Sequence, residues 1–142
     1  MVASKDIEIQ FRSTPKLLCD VRAVIRSYLT NHGVETDKVQ EVVLAVDEAC
    51  TNSIRHAYSG QDDKLVELSL GSGDGWIELE LRDSGVPAPY DRIKRKTDEA
   101  IAAAALTPGG LGMHLIYSVF DDVTFTPGET QGNTILMRLR SA

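Results

Sequence analysis

Ile7, Ile9 and Phe11 alternate with Glu8, Gln10 and Arg12, a period of two that predicts a half-buried strand. Thr14-Pro15 then reads as an N-cap followed by proline at the first helical position. Leu17, Leu18, Val21, Val24, Ile25, Tyr28 and Leu29 recur at helical spacing, so an amphipathic helix is expected over residues 15–31. Asn31-His32-Gly33 ends it, with Gly33 suited to a left-handed cap. Thr36-Asp37 starts a second helix that runs to about Tyr58, with Val43, Val46, Cys50, Ile54 and Ala57 as its apolar stripe. Ser59-Gly60-Gln61-Asp62-Asp63 breaks the pattern.

Val66, Leu68 and Leu70 form one strand face, and Ile77, Leu79 and Leu81 another, opposite Glu78, Glu80 and Arg82. Gly71-Ser72-Gly73-Asp74-Gly75 between them predicts a hairpin whose turn geometry stays open. Residues 83–110 follow neither period and read as a long loop holding a short helix, with a basic cluster (Arg92, Lys94, Arg95, Lys96) and an alanine run from Ala102 to Ala105. Connections this long inside a compact domain are uncommon and tend to be functional or mobile. Leu111 to Phe120 is helical by pattern; Val123 and Phe125, then Ile135, Met137 and Leu139, mark two last strands. Consecutive strands joined by short turns, with helices on one side, predict an α+β fold: a two-layer sandwich with a mixed, mostly antiparallel sheet covered on one face.

At 142 residues one domain spanning 1–142 is expected. Apolar residues at 42 % and charged residues at 25 % exclude a disordered or low-complexity chain. Fifteen basic against twenty-one acidic residues give a net charge of −6, which removes the overall basic footprint of a nucleic-acid or anionic-membrane binder. Two cysteines, Cys19 and Cys50, make neither a disulfide framework nor a CxxC site. With no apolar leader and no long apolar run, a cytoplasmic, soluble protein is expected.

Three features could carry chemistry. Glu48 and Asn52 lie four residues apart on one helical face. The carboxylate can accept a proton from a hydroxyl, and the amide oxygen can ligate a hard cation such as Mg2+. Asp83-Ser84-Gly85 closes a strand; its carboxylate can accept a hydrogen bond from an exocyclic amine such as that of adenine, and Gly85 permits close approach. Gly109-Gly110-Leu111-Gly112 opens a helix, where free N–H groups and the helix dipole favour phosphate. Taken singly, these also fit a solvated helix face, an ordinary turn and a hinge. Neither a P-loop nor a GxGxxG dinucleotide pattern is present. Taken together and in this order, they make a complete nucleotide site: cation ligand, base reader, lid and phosphate cradle.

The run Glu48-Ala49-Cys50-Thr51-Asn52-Ser53-Ile54-Arg55-His56-Ala57-Tyr58 resembles the N box of the Bergerat-fold ATPases, and its extended form is similar to that of the anti-sigma-factor serine kinases. Asp83-Ser84-Gly85 resembles their first glycine box, Gly109 to Met113 with Asp121-Asp122-Val123 their second, and Gly132-Asn133-Thr134 their late glycine-threonine element. The resemblance implies Glu48 as general base, Asn52 as Mg2+ ligand and Asp83 as the adenine reader, with Gly85 beside it. It implies Gly110, Leu111, Gly112 and Met113 at the phosphates, Thr134 at the adenine end, and a lid at about 86–109. It further implies ATP and Mg2+ as cofactors, phosphorylation of a serine on an anti-anti-sigma partner, sequestration of a sigma factor, and a homodimer.

Two departures bear on this. Pro87 stands where the first glycine box usually has a further glycine, and Pro108 where many relatives carry a basic residue. Proline stiffens the near end of the lid. Compensation of phosphate charge would then fall to Arg92, Lys94, Arg95 or Lys96. A second reading is therefore kept: a regulator of the same fold that binds nucleotide and titrates a protein partner without phosphorylating it. His56 and His114 lack a third ligand at zinc spacing and read as structural or surface residues, and Trp76 and Tyr90 as packing and loop residues.

Overall fold

A computed structural model of the chain describes residues 4–88, 93–96 and 110–141. Six strands form one sheet: β1 (Lys5–Arg12), β2 (Leu65–Gly73), β3 (Trp76–Asp83), β4 (Ile93–Lys96), β5 (Asp122–Pro127) and β6 (Asn133–Arg140). Their order across the sheet is β1-β2-β3-β6-β5-β4. All five pairings are antiparallel, the pure case of the mostly antiparallel sheet expected. Helices α1 (Leu18–Asn31), α2 (Thr36–Asn52) and α3 (Gly110–Val119) complete the second layer.

Strict alternation fixes the two sheet faces. Leu79 and Leu81 of β3, Leu68 and Leu70 of β2, and Met137 and Leu139 of β6 are buried with Ile25, Leu29, Val42 and Val46 of α1 and α2 in one core. On the opposite face Arg138 pairs with Glu78 at 2.9 Å and lies 4.0 Å from the Trp76 ring centre. Trp76 is thus a packing residue, held also by Arg140.

The helix boundaries differ in detail from the pattern. Pro15–Leu17 forms a 3-10 turn, and α1 proper begins only at Leu18. The Thr14 side chain makes no capping hydrogen bond; its carbonyl accepts from Leu17 N–H instead. Gly33 takes the left-handed conformation at φ 79°. The β2–β3 hairpin closes on Asp74-Gly75, both at positive φ (54° and 82°), with Gly73 opposite Trp76. That is the two-residue type I′ turn, whose twist suits the flanking strands.

One expectation is corrected. The segment read as a loop with a short helix contains β4, which pairs Ile93 with Phe125 and Lys96 with Asp122 at the sheet edge. Four residues are too few to display a period, and three of them are basic, as is common on edge strands. The alanine run 102–105, Pro108, Gly109, Arg92 and Tyr90 lie outside the described residues. Among the described residues no helix is long and apolar enough to cross a membrane.

Candidate functional site

The last turn of α2 is where helix geometry changes. Its stripe of Val39, Val42, Val43, Val46 and Cys50 is buried against the sheet. Past Asn52 the backbone widens into a π turn over Ser53–Ala57, with Tyr58 N–H donating to Ser53 O at 3.1 Å. Such widened turns occur often at functional sites. The π turn carries Ser53, His56 and Ala57, with Ala49 and Asn52 before it, along one wall of a cavity of about 450 Å3. That volume is in the range of small-molecule sites.

The floor is the inner face of the sheet: Leu81 and Asp83 of β3, Asn133 and Ile135 of β6, and Phe125 of β5. Met113 and Ile116 of α3 form the facing wall, and Val86, Pro87 and Ala88 the rim. The lining is largely apolar, with polar groups gathered at Asn52 and around Asp83.

Asp83 is nearly buried, at 9 % exposure. Its Oδ1 accepts from Gly85 N–H and from Asn133 Nδ2, each at 3.0 Å. Oδ2 has no partner among the described residues. A buried carboxylate with one oxygen saturated and one open suits a donor on a ligand. Asn52 is held only by a weak 4.0 Å contact from its Nδ2 to Met113 Sδ, so its Oδ1 also stands open among the described residues. An orphaned hard oxygen on the cavity wall fits a cation that takes few protein ligands.

The turn that carries Asp83 is clamped from three sides. Val86 N–H donates to Ala57 O at 2.9 Å, and a Cβ on Gly85 would collide with that same carbonyl. Gly132 N–H donates to Gly85 O at 2.7 Å; Gly132 sits at φ 86°, and a Cβ there would lie 2.7 Å from Asp83 O. The close approach that Gly85 permits is to the end of α2, which brings Asp83 and Asn52 into one cavity. Tyr58 completes the clamp: its hydroxyl accepts from Ser84 N–H at 2.7 Å and donates to Leu65 O at 2.5 Å. Burial, with the Asp83 charge nearby, pushes the Tyr58 phenol up, against the opposing pull of the Ser84 N–H.

Asn52, Asp83 and Met113 thus meet in one cavity. Gly110, Leu111 and Gly112 form the first turn of α3, one residue before Met113. Glu48 is half-buried one turn before Asn52 and does not line the cavity; its carboxylate makes no hydrogen bond or ion pair with another described residue. Gly85 lies beside Asp83 and not on the cavity surface. Thr134 also does not line it: it stands opposite Arg82, whose guanidinium bonds Glu67 and Glu80 on the outer face. Asn133, one residue earlier, faces inward. Counting back in twos from the inward residues Leu139, Met137 and Ile135 reaches Asn133, a signal already in the alternation. Of the basic cluster, Lys94, Arg95 and Lys96 belong to β4, next to the strand that supplies Phe125.

A family model described as "Histidine kinase-like ATPase domain" matches residues 11–139. The chain belongs to this family. It is similar to the "Serine-protein kinase RsbW" of Bacillus thuringiensis (strain Al Hakam), with 28 % identity over 134 residues, 92 % of this chain and 82 % of that one. The protein of the same name from Bacillus anthracis (strain CDC 684 / NRRL 3495) is 26 % identical over the same lengths. Both agree with the resemblance to the anti-sigma-factor serine kinases. Two solved structures share the fold of this chain. The RsbU and RsbW domains of Rv1364c from Mycobacterium tuberculosis align with a TM-score of 0.62 at 20 % identity, over 94 % of this chain and 32 % of that one. The SiaB-SiaC complex from Pseudomonas aeruginosa gives 0.67 at 14 % identity, over 95 % and 89 %.

Proposed function

We propose that this histidine kinase-like ATPase is an ATP- and Mg2+-dependent protein serine kinase that acts as an anti-sigma factor. It would phosphorylate a serine on an anti-anti-sigma partner and sequester a sigma factor, as a cytoplasmic homodimer. The observation that carries this reading is the meeting of Asn52 and Asp83, each with an open oxygen, in one apolar cavity. Asp83 Oδ2 accepts the adenine amino group, and Leu81, Ile116, Phe125 and Ile135 enclose the ring. Asn52 Oδ1 would hold Mg2+, which would supply charge neutralisation to the phosphates. The first turn of α3, at Gly110, Leu111, Gly112 and Met113, directs N–H groups at the phosphates.

Glu48 takes the proton from the partner's serine hydroxyl as that oxygen attacks the γ-phosphorus and ADP leaves. Glu48 stands one helical turn before Asn52 and outside the cavity lining. The same position favours the second reading, a nucleotide-binding regulator that captures its partner without phosphorylating it. One experiment separates them: incubation with labelled ATP, Mg2+ and the anti-anti-sigma partner. Serine phosphate that disappears in Glu48→Ala, with ATP binding retained, supports the kinase. Tight partner binding without phosphate supports the regulator, and normal transfer by Glu48→Ala rules out this base.

A further inference from the structure

We infer that Asn133 is a positioning residue that sets nucleobase specificity: it saturates one oxygen of Asp83, so that the other must meet the base, and it ties this carboxylate to the first residues of the lid. The inference rests on the reading of Asp83 as the base reader, and deepens it.

The Asn133 amide has two donor hydrogens and one carbonyl oxygen. Nδ2 donates to Asp83 Oδ1 at 3.0 Å and to Val86 O at 3.0 Å, and Oδ1 accepts from Ala88 N–H at 2.8 Å. This pattern permits one orientation. Turned over, the amide would set its oxygen against a carboxylate and a carbonyl, and its NH2 against an N–H. Asn133 stands directly opposite Asp83 in the β3–β6 pairing, so both are anchored by the sheet.

With Gly85 N–H as the second donor, Oδ1 holds two bonds. Charge-assisted bonds of this kind fix the rotation of a carboxylate more firmly than neutral ones. A ligand donor entering the cavity then finds Oδ2. Without Asn133, Oδ1 would keep one bond, the carboxylate could turn, and Val86 and Ala88 would lose their tie to β6. Selection for an amino-bearing base and placement of the lid's first residues are therefore functions of one side chain.

The test is calorimetric affinity of the full chain for Mg-ATP and for purine riboside 5′-triphosphate, which lacks the exocyclic amine. Wild type is expected to prefer ATP by at least about tenfold, the worth of one charge-assisted bond. Asn133→Ala is expected to lose most of that preference. Asn133→Asp keeps the acceptor for Ala88 and covers the case in which the alanine variant does not fold. Its carboxyl can donate to Asp83 only when protonated, and two carboxyl groups sharing one site favour uptake of a proton above the ordinary carboxylate range, so its preference for ATP is expected to return on acidification from about pH 8 to about pH 5.5. His56, which also lines the cavity, faces both nucleotides alike and cancels in the ratio. A ratio unchanged in Asn133→Ala, or a ratio in Asn133→Asp that does not change with pH, overturns the inference. Equal binding of the two nucleotides by wild type contradicts the base-reading role of Asp83 itself, and the inference with it.

Discussion

A few residues with no room to change hold the site together. Gly85 is pressed against the Ala57 carbonyl, and Gly132 against Asp83 O. Gly85→Ala is expected to destabilise the chain by on the order of 1–3 kcal/mol, because backbone and not a flexible side chain must yield. Urea denaturation checks this, and an unchanged midpoint would mean that the turn is looser than it stands. At this scale the sequence was legible in part. Asn52 and Asp83 stand out by their order along the chain and by the family resemblance, and both line one cavity. The motif points to Thr134, but the pleat sends neighbouring residues to opposite faces, and Asn133 is the one that lines the cavity.

The elements meet at the junction of α2, β2 and β3, where Tyr58 bridges Leu65 O and Ser84 N–H. Tyr58→Phe keeps the ring packing and removes both bonds, leaving two backbone groups unsatisfied. A loss of about 1–3 kcal/mol is expected, with ATP affinity reduced several-fold as the Asp83 turn loosens. Paired melting and calorimetric measurements check both. An affinity that does not fall would separate the clamp from the site. Strong periodicity made α1, α2 and five strands readable. β4 was hidden because Ile93–Lys96 is short and basic, and gains its strand identity from β5 alone. The π turn was hidden as well: Ser53–Ala57 continues the apolar stripe of α2, and only the packing of Ala57 under Gly85 reveals the altered pitch.

At the scale of the molecule, the fold is a helical layer on one antiparallel sheet, with buried groups that the core tolerates only in neutral form. Burial pushes the Cys50 thiol up to about 12, and the Tyr28 phenol up to about 12, the latter also through its bond to Asp6. In the unfolded chain these groups lose their protons near about pH 8.5 and 10. Their folded pKa values are raised, so the stability they contribute is fully present below the unfolded values, about pH 8.5 and 10, and is lost as pH rises from there to about 12. Stability is therefore expected to decline from about pH 9 upward, and to decline less steeply in Cys50→Ala. Denaturant midpoints across that interval check this, and equal slopes for the two proteins would contradict it.

The central claim is that Asp83 and Asn52 form one nucleotide site, and the most direct measurement is a calorimetric titration of the folded chain with Mg-ATP. The account predicts saturable one-site heat in wild type, at least about tenfold weaker binding in Asp83→Ala, and a loss of the Mg2+ contribution in Asn52→Ala. Absence of heat in wild type, or binding of equal strength in Asp83→Ala, would contradict it.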